Sequence, residues 1–330
     1  MKNTEDQRAF FEAAKQWRAI FDAIPESLCL IDDKLTILRC NSSMAELLGK
    51  SFKDIIGEKL DRFKTEIDLS GLVSQLIKKM SVGSGRVTEV INSKNNWYEV
   101  TLHPVIEKVE KPARSLLIIR NITHLKEMER GLTETHERLK KAFHGTVNAL
   151  ATTIEKRDPF TAGHERRVAQ IAQALAISLD MDSERVEGIL VAGLLHDVGK
   201  IVVPAEILSK PGTLNSHEYN IVKSHPAAGY EILKKVEFPW PVADIVLQHH
   251  ERLNGTGYPN KLTKEKIIFE ARIIAVADVV EAMLSKRPYR KAKTVNQMIS
   301  ELQEQKGILF DEKVVDACIC LFVENNFKLE

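Results

Sequence analysis

The sequence predicts a multidomain chain: an N-terminal α+β domain on a single sheet, a helical linker, and a C-terminal all-α helical bundle. Three observations carry this. Residues 14–123 mix strand-like and helix-like runs, residues 124–154 keep an apolar step of three, four or their sum, and strand-like alternation stops at about residue 143. In the first part, Ser27–Ile31 and residues 35–38 flank Asp32-Asp33-Lys34 and read as a hairpin, followed by a short helix capped by Asn41 or Ser42. Strand-like runs near 86–91, 97–105 and 115–119 complete the sheet. Leu125, Met128, Leu132, Leu139, Phe143, Val147, Leu150 and Ile154 then form a helical stripe, interrupted at Gly131. A narrow stripe on a charged helix suits a parallel two-stranded coiled coil in a homodimer; a single helix packed on its own domain is the competing reading. Beyond it, residues 186–195 and 267–284 are apolar with helical period. Pro204, Pro211-Gly212, Pro226, Pro239, Pro241 and the 255–259 stretch punctuate the helices.

Composition narrows the function. At 330 residues, 44% hydrophobic and 28% charged, the chain is an ordinary globular protein of about two domains. Lys+Arg of 47 against Asp+Glu of 46 leaves +1, which argues against a nucleic acid polymer or an acidic membrane as the main partner. Cys29, Cys40, Cys318 and Cys320 make no paired framework and no CxxC, and read as reduced thiols. The first residues are polar and no long apolar run follows, so a cytoplasmic protein without a membrane segment is expected.

The chemistry lies in the histidines. Of ten, three fall in two tight motifs, His196-Asp197 and His249-His250, and the second runs on into Gly257-Tyr258-Pro259. Imidazole beside carboxylate suits a hydrolytic divalent metal, with the carboxylate free to bridge two ions. The apolar run before His196-Asp197 delivers both at the end of a buried helix, with Lys200 one turn beyond. His164, His225, His249, His250 and Asp278 are the other candidates. Asp278 sits on an apolar helix, where an unpaired carboxylate is unfavourable and a metal would relieve it. Seven such ligands exceed the needs of one ion and point to two.

In order, His164, His196-Asp197 and Asp278 resemble the H…HD…D pattern of the HD phosphohydrolase superfamily. The longer set resembles the HD-GYP family: Thr161-Ala162-Gly163-His164, the 196–201 stretch, Pro204, Leu208, Lys210-Pro211-Gly212, His225, His249-His250-Glu251-Arg252, Gly255, Gly257-Tyr258-Pro259, Asp278 and Arg287-Pro288-Tyr289-Arg290. It covers residues 146–328. Residues 14–123 resemble a PAS domain, with Asn121-Ile122-Thr123 like its exit signature, and residues 124–145 would link the two.

The resemblance implies a phosphodiesterase that cuts cyclic di-GMP to pGpG or GMP, controlled by the PAS-like input domain. It implies one metal held by His164, His196, Asp197 and Asp278, with Asp197 bridging to a second held by His225, His249 and His250. A water between the two ions would be the nucleophile. Fe or Mn is expected, with Zn or Ni as substitutes. Lys200, Arg287 and Arg290 would neutralise the phosphates, and Tyr258 would stack on or orient a guanine. Further partners would be a second copy of the chain and GGDEF-type or other signalling proteins. The ligand of the PAS-like domain has no signature.

Three positions depart from the family. Phe160 stands where members with a third metal carry an acid, so two metals are expected. Asn254 and Glu281 stand where Asp is usual, which bears on loop geometry and turnover. Two other functions compete: a metal-dependent cyclic di-GMP receptor without turnover, and an HD hydrolase for another cyclic dinucleotide.

Overall fold

The computed structural model describes residues 2–82, 85–105, 114–158, 163–285, 291–324 and 327. The chain divides into two compact units between Glu137 and Arg138.

The first unit opens with α1 (Lys2–Ala23), a helix that a reading of polar N-terminal residues misses. Phe10 and Phe11 are 77% and 80% exposed, so no buried stripe marks it. Next come β1 (Ser27–Ile31), β2 (Ile37–Cys40), α2 (Ser42–Leu48), α3 (Phe52–Ile55), α4 (Leu69–Val82), β3 (Val87–Ser93), β4 (Asn96–Val105) and β5 (Arg114–Asn121). The strands form one antiparallel sheet in the order β2-β1-β5-β4-β3.

The expected hairpin forms, but its second strand begins at Ile37 rather than Leu35. Leu35 adopts φ 61° and the Asp32 carboxylate accepts the amides of Lys34 and Thr36, so the turn extends through Thr36. Asn41, not Ser42, caps α2. Its Oδ1 accepts from the Leu28 and Met44 amides while Nδ2 donates to the Ile24 and Glu26 carbonyls, which satisfies a fully buried amide and ties β1 to the helix. Ile31, Ile37, Val100, Leu102 and Leu117 on the sheet pack with Met44, Ile55, Val73 and Leu76. Each such burial stabilises by roughly 1.5–3 kcal/mol relative to exposure.

A single helix, α5 (Thr123–Glu155), then runs through Gly131 and past residue 145, where the linker was expected to end. One exposed glycine costs a helix only about 1 kcal/mol. Flanking pairs Lys126–Glu129 and Arg130–Glu134 offset part of it. Leu125, Met128, Leu132 and Leu139 are exposed, whereas Val147, Ala151 and Ile154 are buried in the core of the second unit.

That unit has no strand among its described residues. It contains α6 (His164–Ser178), α7 (Ser183–Leu195), a 3-10 turn (Val198–Val202), α8 (Ala205–Leu208), α9 (Ser216–Val222), α10 (His225–Leu233) and α11 (Val242–Gln248). It ends with α12 (Phe269–Leu284), α13 (Val295–Gln305) and α14 (Glu312–Val323). Asp182 caps α7 by accepting the Arg185 amide. Val186, Ile189, Val191, Ala192, Leu194 and Leu195 bury α7 on every side, as an all-round apolar helix requires. Because the helix ends at Leu195, the next two side chains enter the interior. Likewise α12 buries Ile273, Ile274, Val276, Ala277 and Val280, and carries Asp278 and Glu281 with them.

Candidate metal centre

All seven residues read as ligands lie in the second unit, on segments far apart in sequence. His164 opens α6, His196 and Asp197 follow α7, His225 opens α10, His249 and His250 follow α11, and Asp278 lies in α12. Their nitrogen and oxygen atoms gather into two groups, each within 4.8 Å: Asp197, His225, His249 and His250 in one, and His164, His196 and Asp278 in the other.

Asp197 faces both. Its Oδ1 lies 3.2 Å from His225 Nε2, while Oδ2 lies 3.5 Å from His196 Nε2 and 3.9 Å from His164 Nε2. Its close approach to His225 depends on Gly199. A Cβ there would stand 1.9 Å from the His225 carbonyl oxygen and 2.5 Å from the Gly229 amide, so only glycine lets the 3-10 turn lie this near α10.

Hydrogen bonds fix the rings. His196, His225 and His249 each donate from Nδ1 to the carbonyl three residues back, on Gly193, Val222 and Val246, at 2.7, 2.7 and 2.6 Å. A carbonyl only accepts, so these contacts assign the proton to Nδ1 and leave each Nε2 as a lone pair turned inward. His196 Nε2 is buried with no hydrogen-bond partner. His225 Nε2 and His249 Nε2 meet at 3.4 Å, two acceptors with no proton between them. An arrangement of buried lone pairs facing carboxylate oxygens is favourable only around a cation. The donor set therefore fits divalent metal: imidazole with carboxylate, and no thiol.

Two glutamates that motif reading did not assign to the site support it. Glu281, known from sequence only as a departure from Asp, is buried and accepts from His164 Nδ1 at 2.5 Å, from Arg167 Nε at 2.8 Å and from Ser285 Oγ at 2.6 Å. It leaves His164 Nε2 directed at Asp278, 3.3 Å away. Glu251, also buried, accepts the amides of Asn260 and Leu262 at 2.7 and 2.9 Å and so clamps the loop carrying Tyr258. Gly257 belongs to the same clamp, since a Cβ would stand 2.4 Å from the Glu251 Cα. Glu251 stood in the family pattern and Glu281 at a departure from it, but neither position showed what its carboxylate would hold. Asn254 accepts within its own turn, from the Thr256 amide and hydroxyl.

Lys200 reaches Asp197 Oδ2 at 2.5 Å and Asp158 Oδ2 at 3.5 Å, and lines the cavity over the site. The Tyr258 ring lies 4.7 Å from that of His250 and lines the same cavity. Arg287, Arg290 and Phe160 lie outside the described residues.

A family model described as an HD domain matches residues 148–314. The chain belongs to the HD domain family. Ahead of the HD domain, a PAS-domain model matches residues 25–124. The cyclic di-GMP phosphodiesterase response regulator RpfG of Xanthomonas campestris pv. campestris is 41% identical over 194 residues, covering 58% of this chain and 51% of that protein. A cyclic di-GMP phosphodiesterase of Thermotoga maritima is 38% identical over 177 residues, 53% of this chain and 48% of its own. The 3'3'-cGAMP-specific phosphodiesterase 1 of Vibrio cholerae is 34% identical over 171 residues, with 52% and 40% covered. The chain thus spans about half the length of the curated relatives it matches. An HD domain implies divalent metal use, and the two His/Asp groups are where this one would hold it. No helix among the described residues is long and apolar enough to cross a membrane.

Proton affinities in the HD domain follow from burial. Burial lowers His196; burial and then His250 put His249 well below its ordinary value; burial, with Asp278 opposing, brings His250 to about 3. Burial also works against a charged His164, but hydrogen bonds to Asp278 and Glu281 outweigh it and raise that ring to about 10. Unfolded imidazoles titrate near 6.5, so below that pH the unfolded chain takes up protons that His196, His249 and His250 refuse. Stability then falls with pH, by up to about 1.4 kcal/mol per unit per ring. His164 acts oppositely: its contribution is complete below 6.5 and is lost as pH rises through about 10. Thermal melts of chelator-treated protein are expected to drop steeply from pH 6.5 to 5; a flat profile would contradict neutral buried rings.

Glu281→Gln is expected to weaken metal binding by about 10–100-fold, because His164 loses the carboxylate that orients it. Metal titration of the folded variant checks this, and unchanged affinity would remove Glu281 from the site.

Proposed function

We propose that this HD domain hydrolyses a phosphodiester bond of cyclic di-GMP at a two-metal site, giving pGpG or GMP, under control of the PAS domain. The observation that supports it most is Asp197, whose two oxygens face different ligand groups, as a carboxylate shared by two ions would. His164, His196 and Asp278 would hold one ion with Asp197, and His225, His249 and His250 the other. Divalent ions held there would supply Lewis acidity toward phosphoryl oxygens and an acidified water. Fe or Mn suits this mixed nitrogen and oxygen set.

The chain's own residues do the rest. Asp197 and Asp278 stay ionised despite burial: Lys200 holds the first well below the carboxylate range, and His164 the second. Glu281 and the Gly193, Val222 and Val246 carbonyls hold the ring protons away from the substrate side. Lys200, at the cavity wall, presents an ammonium to a phosphate. Tyr258 offers a ring face for a base and, held by the Glu251 clamp, keeps it over His250. Arg287 and Arg290 are proposed as further phosphate contacts.

One observation favours a second substrate. The matched relatives include a 3'3'-cGAMP-specific phosphodiesterase, so the cyclic dinucleotide with one guanine and one adenine is the alternative. Product analysis with both nucleotides decides between them, and hydrolysis of neither overturns the proposal.

Control by the PAS domain would need a second copy. Leu125, Met128, Leu132 and Leu139 on α5 are exposed at spacings of three, four and seven, the seam of a parallel coiled coil. The double substitution Leu132→Glu with Leu139→Glu is expected to halve the mass measured by light scattering; an unchanged mass would put any dimer contact elsewhere.

A further inference from the structure

The cavity over the ligand groups has a volume of about 290 Å³. That is just below the roughly 300–1,000 Å³ of small-molecule sites, room for one nucleotide of a cyclic dinucleotide rather than both. Its floor is metal-ligand chemistry: His164, Asp197, His225, His250 and Asp278. Its walls are apolar or aromatic, with Val222, Val279, Met283 and Tyr258 suited to a flat base. Apart from Lys200, one lining residue fits neither description. Glu301, on α13, is the only carboxylate among the described lining residues that belongs to neither ligand group. Its side chain is 41% exposed, and its carboxylate pairs with the ammonium of Lys293.

A carboxylate is acceptor-only, with two oxygens side by side. Guanine presents a matching pair of donors on one edge, N1–H and the exocyclic N2 amino group, with the acceptor O6 next to them. Adenine presents a bare N1 lone pair at the same place, which a carboxylate repels. Glu301, at the cavity wall, thus offers acceptors to the guanine N1–H and N2 amino group and the wrong pattern for adenine. Phosphate contacts to Lys200 or the metals would carry no such information.

We propose that Glu301 is a specificity-determining residue that reads the guanine edge of the nucleotide held in this cavity. This rests on the reading of the site as a cyclic dinucleotide phosphodiesterase. Discrimination of this kind is strong, because the wrong base leaves a polar group unpaired.

The test uses the full metal-reconstituted chain, with bis(4-nitrophenyl) phosphate as reporter and GMP and AMP as competitors. In the wild type GMP is expected to inhibit at least about tenfold more tightly than AMP. In Glu301→Gln, which keeps the size but replaces one acceptor with a donor, the two constants should converge. Reporter turnover and metal content should stay within about twofold. Glu301→Asp, which keeps the carboxylate, should retain part of the preference. Two results would overturn the proposal: a wild type without GMP preference, or a Glu301→Gln variant that keeps it. So would parallel losses of GMP binding, AMP binding and reporter turnover, since those mark a structural ion pair only. Cyclic di-GMP hydrolysis is assayed separately on the wild type. Its absence alongside an intact GMP preference would defeat the functional reading and leave the role of Glu301 standing.

Discussion

Asp197→Asn is expected to lower phosphodiester hydrolysis by about two to three orders of magnitude, the scale on which a preorganised electrostatic group acts. Metal content should fall with it. Asp197 faces both ligand groups through different oxygens, so a single substitution disturbs both. The amide keeps the shape but carries no charge and turns a donor toward ring nitrogens that have no proton to offer. Lys200 loses its nearest carboxylate at 2.5 Å and keeps Asp158 at 3.5 Å, so the variant should be less stable yet folded. Circular dichroism and metal analysis on one sample separate the two effects. Full activity in a folded Asp197→Asn variant would sink the shared-carboxylate account.

Gly199→Ala is the second large effect, and it acts without touching a ligand. Its Cβ would fall 1.9 Å from the His225 carbonyl oxygen, a backbone atom that no rotamer change can move aside. The 3-10 turn and α10 must separate, which overpacks or opens the interior at about 1–3 kcal/mol or more. Separation also pulls His225 from Asp197, now 3.2 Å apart. Activity should therefore fall much further than the loss of folded protein accounts for, with metal content reduced toward one ion. Thermal melts beside metal counts check this; a variant with wild-type stability and both metals would mean that the close approach is not needed.

The site was legible where residue types are scarce. Histidines paired with an acid or with each other, an acid on an apolar helix, and the Gly257-Tyr258-Pro259 loop stand out because few buried environments tolerate them. What was not legible is support. Glu251 stood in the family pattern and Glu281 at a departure from it, but only the fold shows one holding the Tyr258 loop and the other His164. Nor can a sequence say that Gly199 faces a carbonyl.

The α+β and all-α division was readable from periodicity because α7 and α12 are buried all round. Helix α1 was not, since its large apolar residues Phe10 and Phe11 face solvent rather than a core. The start of β2 was misplaced for a local reason. Asp32 reaches past Leu35 to the Thr36 amide and lengthens the turn by two residues, a side-chain preference that strand periodicity does not register.

The central claim, a two-metal phosphodiesterase for cyclic di-GMP, is tested most directly by one assay. Protein purified anaerobically and loaded with Fe or Mn is incubated with cyclic di-GMP, with metals counted on the same sample. The account predicts pGpG or GMP as product at about two metals per chain. Bound nucleotide with no product from a fully metallated site would contradict it and leave a receptor.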